Sequence, residues 1–320
     1  MTGERERPMT GGAVTPPSCA ACGSTNTAES PLAPHGQRLQ RCLRCGLQWR
    51  LNPPPPEELE LLYRTGFYSP SRPRGGRLVR QLHYWNNRIR LREIRDLTPG
   101  RLLDVGSGKG RFLAAARDAG WQVVGVEYAR SSAEAAMATY GVEVVSGDFL
   151  EVPISGRFDV VTMWHVLEHL PDPGAAIARA TSMLRPGGRL VVSVPNIDSL
   201  QARLGGDSWF HLDSSRHLFH FSPRSLSALI SSQGFRVDRT GHLYPEIEMI
   251  GLVQTMLARV GFEGDLLYRF AKRDPTAPLS GEIILSLGLA AALLPAALVW
   301  AVLAPALRTG ASIQLVATKT

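Results

Sequence analysis

The stretch from Arg101 to Phe112, RLLDVGSGKGRF, restricts the fold of this 320-residue chain more than any other. Leu102, Leu103 and Val105 form a short apolar run around Asp104. Glycines follow at 106, 108 and 110, and then Phe112-Leu113-Ala114-Ala115-Ala116, rich in helix formers. That order predicts a buried strand, a tight turn and a helix. Glycines at the turn let the backbone approach a ligand with no Cβ in the way, at the strand ends where open α/β sheets bind ligands.

The residues beside the glycines restrict the ligand. A dinucleotide fingerprint wants glycine at 111, which is Arg111; a phosphate loop wants glycine at 103 and Ser or Thr at 110, which are Leu103 and Gly110. The carboxylate of Asp104 at the strand end would repel a pyrophosphate and attract a cation. S-adenosylmethionine carries an ammonium, a sulfonium and no phosphate. The acidic-x-Gly-x-Gly-x-Gly segment resembles the first motif of the class I S-adenosylmethionine-dependent methyltransferases. The resemblance implies an α/β fold, a doubly wound Rossmann-like sheet of seven strands in the order 3-2-1-4-5-7-6. It also implies cofactor contacts at Asp104, Gly106, Gly108 and Gly110.

Further along, Gln122 to Val126 reads as a second strand ending in Glu127, placed to accept both ribose hydroxyls of a nucleoside or, less specifically, to be a surface carboxylate. Ser131 with Glu134 predicts a capping box for a helix through Tyr140. Val142 to Val145 reads as a third strand leading to Gly147-Asp148-Phe149. The resemblance implies that Asp148 bonds the adenine amino group and that Phe149 flanks the ring.

The fourth strand, Phe158 to Met163, empties into WHVLEHLPDP, residues 164–173, which resembles the V-L-E-H-x-x-D-P segment of small-molecule methyltransferases, including those of quinone and sugar biosynthesis. His169 is the candidate general base, since an imidazole suits removal of a proton from a hydroxyl attacking the sulfonium carbon. The plainer alternative is that His169 and Glu168 cap and orient the next helix. His165 is assigned to the methionine end of the cofactor site. Holding nucleophile, carbon and sulfur in line supplies much of the acceleration in such a transfer. LRPGG followed by RLVVSVPN reads as a turn and fifth strand, another hallmark of the resembled family. In the polar, aromatic loop over 196–221, Arg216 and His217 are candidates for substrate binding or for loop-stabilising hydrogen bonds.

All four cysteines precede residue 46, as Cys19-x-x-Cys22 and Cys42-x-x-Cys45-Gly46. Two such knuckles match a four-thiolate zinc site, closed and structural. Leu47, Trp49 and Leu51 alternate as a ribbon strand should. The chain then divides into a disordered tail over 1–17, a zinc ribbon over 18–51, a linker over 52–76 and a catalytic domain over 77–320. NPPPP stiffens the linker, with a short helix expected over 57–63 and an aromatic turn at 66–68. That series is similar to the one following the ribbon in zinc-ribbon methyltransferases. Its Asn-Pro-Pro resembles the motif of nucleic-acid amino methyltransferases, but those carry it after the fourth strand, so the match is read as coincidence. The first residues contain no apolar run of the kind a secretory signal needs.

A net charge of +7 and a pI near 9.6 point to an anionic neighbour, nucleic acid or an acidic membrane. Arg77 to Leu97 reads as a helix studded with arginines, either a solvated face or a surface near lipid headgroups. Ile283 to Leu307 contains 25 residues without a charge, enough for one bilayer crossing. Yet Ser312 to Thr318 reads as the last strand, which in the resembled fold lies antiparallel between strand five and strand six, here Gly234 to Leu243. Pro295 divides the run into two arms and predicts a hairpin that enters and leaves on one side. Such a hairpin inserts in a membrane, with Lys272, Arg273 and Arg308 at its base, or is buried in the core or a dimer interface.

The expected function is therefore S-adenosylmethionine-dependent O-methylation of a sugar, glycan precursor or lipid-linked small molecule on the cytoplasmic side of a membrane. A nucleic-acid methyltransferase would use the ribbon and the basic charge but leaves the apolar run unexplained. A non-catalytic binding protein would have no need of Asp104, Gly106, Glu127 and Asp148 together.

Overall fold

The computed structural model describes residues 18–55, 58, 76–213, 216–242, 244–272, 274 and 276–320. The expected tail over 1–17, all but residue 58 of the helix over 57–63, the aromatic turn at 66–68 and Arg273 lie outside them. Three short strands come first: β1 (Thr27–Glu29), β2 (Leu39–Cys42) and β3 (Gln48–Arg50), paired antiparallel in that order. Helix α1 (Gly76–Arg92) follows, then the alternation of β4 (Arg101–Val105), α2 (Arg111–Asp118), β5 (Gln122–Glu127), α3 (Arg130–Tyr140), β6 (Val144–Ser146) and β7 (Phe158–Trp164). The second half contains α4 (Pro173–Met183), β8 (Leu184–Pro195), α5 (Leu200–Gly205), β9 (Phe219–His220), α6 (Pro223–Ser232) and β10 (Phe235–Gly241). It closes with α7 (Pro245–Arg259), α8 (Leu266–Ala271), α9 (Gly281–Ala306) and β11 (Ser312–Lys319).

The large sheet runs β6-β5-β4-β7-β8-β11-β10, the expected doubly wound order. Strands β4 to β8 pair in parallel, while β11 lies antiparallel to both β8 and β10. Central strands covered on both faces should be apolar almost throughout, and Phe158, Val160, Val161 and Met163 of β7 are each fully buried. This arrangement brings the carboxyl ends of β4, β5, β6 and β7 to one edge, where the glycine turn begins.

The cysteine ribbon is not a separate bead. Its sheet takes β9, a strand of the later chain, as a fourth member: Trp49 pairs with Phe219 and Gln48 with His220. Cys19, Cys42, Cys45, Leu47 and Trp49 share one apolar cluster with Leu218, Phe221 and the strands of the large sheet.

Two expectations need correction. Ile283–Leu307 is not a hairpin: α9 is one continuous 26-residue helix with Pro295 and Pro305 inside it. Proline removes one N–H and crowds one carbonyl, but reversing a chain also needs turn residues, and Pro295 is flanked by Leu-Leu and Ala-Ala. Nor does Ser131 cap the following helix. Glu127 Oε1 accepts the Ala129 N–H at 2.9 Å, the helix starts at Arg130, and Glu134 pairs with Arg130 instead of closing a capping box.

Helix α9 packs along α7, its buried stripe being Ser286, Ala297, Ala301 and Ala304 at helical spacing, while Ile283 at its start clusters with Leu266 of α8 and Ala277. The rest of its surface is open. Leu285, Leu298, Val299, Val302 and Leu303 are each at least half exposed. At about 1.5 Å per residue the helix is about 39 Å long, and by length and composition it is apolar enough to cross a membrane.

Candidate active site

The glycine turn after β4 has the conformation its composition demands. Gly106, Gly108 and Gly110 all have positive φ, and a Cβ at Gly110 would stand 2.8 Å from Ala136 and Val142. The turn floors a cavity of about 320 Å³. Helix α1 covers one side of it with His83, Asn86, Asn87 and Arg90, which at positions i, i+3, i+4 and i+7 share one helical face. Asp104, Gly106 and Gly108 of the predicted cofactor residues line it, together with Lys109, Arg111, Trp164, Tyr244 and Glu246.

Asp104 is buried and accepts a hydrogen bond from Thr162 Oγ1 at 2.6 Å. Burial pushes its pKa up to about 7, against the opposing pull of Arg90. The Arg90 guanidinium lies 5.1 Å above the Trp164 ring, which in turn meets Phe112 edge-on at 5.3 Å. Sequence reasoning passed over Arg90, Trp164 and Tyr244. The signal for Arg90 was the polar 83-86-87-90 face inside a helix judged by its arginine count.

One strand across, at the end of β5, Glu127 accepts two backbone hydrogen bonds, Gly108 N–H to Oε2 at 2.8 Å and Ala129 N–H to Oε1 at 2.9 Å. The Tyr128 backbone adds a third, weaker contact, and a carboxylate with about four lone-pair directions keeps some acceptor capacity for a hydroxyl. Burial raises the pKa of Glu127 and these bonds oppose that. Just past β6, Asp148 Oδ1 accepts the Leu150 N–H at 2.8 Å, and Phe149 is buried beneath the Arg179 guanidinium at 5.3 Å. Glu127, Asp148 and Phe149 thus occupy two adjacent strand ends, beyond the cavity's described lining.

The VLEH segment forms a second group. His165 has φ of 56°, a left-handed backbone, and its ring is held by Glu168 Oε1 at 3.2 Å and Ser312 Oγ at 3.2 Å. It meets the ring of Tyr244, which lines the cavity, edge-on at 6.0 Å, but is itself outside the described lining. His169 Nδ1 faces the carbonyl oxygen of Arg216 at 3.1 Å, and His217 Nδ1 faces that of His211 at 3.0 Å. A carbonyl only accepts, so both Nδ1 atoms carry the proton and both Nε2 atoms keep a lone pair. Burial lowers the pKa of His169 and, together with His169 and His220 nearby, holds that of His217 well down. The two rings lie 4.7 Å apart, and Glu168, His169 and His217 each place a ligand-type atom within 4.8 Å of the others. The Arg216 guanidinium is paired with Asp213, and its carbonyl fixes the His169 ring.

The four cysteines converge as their spacing implies. Cys19 Sγ is 3.5 Å from Cys45 Sγ and Cys22 Sγ 3.6 Å from Cys42 Sγ, with all four within 4.8 Å of one another. A tetrahedral zinc at about 2.3 Å from each sulfur asks for roughly 3.8 Å between sulfurs, so the set fits the ion. Each knuckle ends in a glycine with positive φ, Gly23 and Gly46.

A family described as "Methyltransferase domain" matches residues 78–240. The ubiquinone biosynthesis O-methyltransferase of Bordetella avium is 33% identical over 122 residues, 34% of this chain and 50% of that protein. The enzyme of the same name from Xanthomonas oryzae pv. oryzae is 36% identical over 109 residues, 32% of this chain and 45% of that one. The chain spans about half the length of the curated relatives it matches. Among solved structures, a SAM-dependent methyltransferase from Archaeoglobus fulgidus overlays with a TM-score of 0.48 at 19% identity, covering 74% of this chain and 94% of that one.

Proposed function

The chain belongs to the methyltransferase-domain family, and from that premise we propose that it transfers the methyl group of S-adenosylmethionine to a hydroxyl of a small acceptor at a membrane surface. The observation that carries the donor assignment is Glu127, a buried carboxylate tied to the glycine turn through Gly108 with acceptor capacity left for a ribose hydroxyl. Asp104 would face the donor's cationic end, Arg90 its carboxylate, and Asp148 and Phe149 its base. When bound, S-adenosylmethionine supplies a methyl group on a sulfonium, a carbon already equipped with its leaving group.

What the chain adds is placement and a proton acceptor. His169, with Nδ1–H donated to the Arg216 carbonyl, is held in the tautomer whose Nε2 is the basic nitrogen, and its lowered pKa favours the neutral ring that a proton acceptor needs. His217 and Glu168 stand beside it. Cys19, Cys22, Cys42 and Cys45 would hold a structural zinc that braces the ribbon against β9. The open apolar surface of α9 supports the membrane setting, because a soluble monomer rarely leaves so large an apolar patch in water. The names of the relatives support oxygen as the methylated atom.

Two experiments test this reading. Titration calorimetry with S-adenosylmethionine should give saturable binding that weakens at least tenfold in Glu127→Gln, since a charged, doubly accepting carboxylate contributes roughly 1.5–3 kcal/mol per bond. Label from methyl-tritiated donor should appear in a lipid or glycan extract and not in RNA. No binding of the donor, or transfer to RNA alone, overturns it.

A further inference from the structure

Cationic side chains from separate segments converge on the cavity. Lys109 and Arg111 come from the glycine turn and the start of α2, His83 and Arg90 from α1, and all four line the cavity. Lys272, just past α8, lies over the Tyr268 ring at 5.3 Å and close enough to feel the charges of Arg111 and Lys109. The carboxylates in the described lining are Asp104, turned to Thr162, and Glu246, which accepts from Asn86 and offsets part of the charge around Lys272, so cations still outnumber them. The crowding has an electrostatic signature. Burial lowers the pKa of Lys109 and of Lys272, and Arg111 is the next cause for each. His83 is driven to about 4 by burial and then by Arg111, Lys272 and Arg90. S-adenosylmethionine does not relieve this concentration of charge, because it brings two cationic groups and a single carboxylate, for which Arg90 suffices.

We propose that the methyl acceptor carries a phosphate or diphosphate group and that Lys109, Arg111 and Lys272 bind it at the cavity mouth. The inference rests on the methyl-transfer reading above and names the class of acceptor. Cations converging from separate segments suit a group with several charged oxygens better than a lone carboxylate. Asp104 on the cavity floor repels the same group and confines it to the rim. A phosphate on a lipid carrier and a phosphate on a soluble sugar share this chemistry.

The test is calorimetry on the full chain. S-adenosylmethionine is titrated first; inorganic pyrophosphate is then titrated into the donor-saturated protein, and both are repeated with the double variant Arg111→Gln, Lys272→Gln. The expected result is pyrophosphate binding in the presence of donor, weakened at least tenfold in the double variant, with donor affinity held within about threefold. Donor binding without pyrophosphate binding, equal pyrophosphate affinity in the variant, or displacement of donor by pyrophosphate would each overturn the phosphate site. Loss of donor binding in the unmodified protein would instead sink the methyl-transfer reading. Competition by a polyprenyl phosphate in detergent micelles against glucose 1-phosphate in buffer then separates the two sources, the tighter competitor marking the acceptor's carrier.

Discussion

Trp49 of the cysteine ribbon and Phe219 of the loop that carries His217 are partners across one antiparallel strand pair. Arg50 N–H also donates to the Leu218 carbonyl at 3.0 Å, and Ser222 Oγ to that of Cys45 at 3.4 Å. The cysteine ribbon is therefore braced against the loop that carries His217.

Removing the metal with a chelator, or replacing Cys42 with Ser, should disturb acceptor binding before donor binding. Acceptor KM is expected to rise several-fold while the donor Kd moves less than twofold. A stability loss of only about 3 kcal/mol would lower Tm by about 6–12 °C in a chain of this size, which differential scanning fluorimetry reads directly.

Donor affinity should climb with pH through about 7. Burial leaves Asp104 with a pKa of about 7 in the empty protein, and a cation beside it favours the carboxylate, so below that pH binding must first expel a proton. The apparent Kd is expected to tighten roughly eightfold from pH 6 to pH 7.5, a window below the titration of the donor's own amine. Calorimetry across that range should show the slope in the unmodified chain and a flatter, weaker response in Asp104→Asn.

His169→Gln should cut kcat by about 10²- to 10⁴-fold with donor Kd unchanged. The lowered pKa places the acid limb of the kcat profile at lower pH than an ordinary imidazole would give. That limb should vanish in the variant. A variant that keeps both rate and limb would assign His169 to loop orientation alone.

Replacing Leu298, Val299 and Val302 together with Gln should abolish flotation with vesicles containing anionic lipid. Those side chains face away from α7, and exposed substitutions of this kind change stability by about 0.5 kcal/mol or less each. Ala301→Gln, on the buried stripe, should lower Tm and leave flotation intact, which distinguishes a lipid-facing surface from a packing one.

Much of the frame was legible because its signals are local. The strand-glycine-helix passage at Arg101–Phe112 and the alternation after it dictate a parallel sheet, and β11 falls between β8 and β10 as expected. The paired CxxCG knuckles likewise bring four sulfurs together. What was illegible depended on distant partners. Nothing local tells Phe219 that it will extend the ribbon sheet, since a two-residue strand has no periodicity of its own. The polar face of α1 acquires its meaning only from the glycine turn packed opposite it. At Pro295 the local rule was applied too strongly: an apolar helix keeps its course through a proline when neighbouring turns remain bonded and no turn residue invites a reversal.

Because β11 slides between two strands that precede it in the chain, the large sheet stays open until α9 has been synthesised. During translation the greasy helix leaves the ribosome while β8 and β10 still lack the neighbour they will share. Assembly of the reaction chamber thus waits on the segment best suited to lipid, and a bilayer that captures α9 early would act as the platform on which the last gap closes.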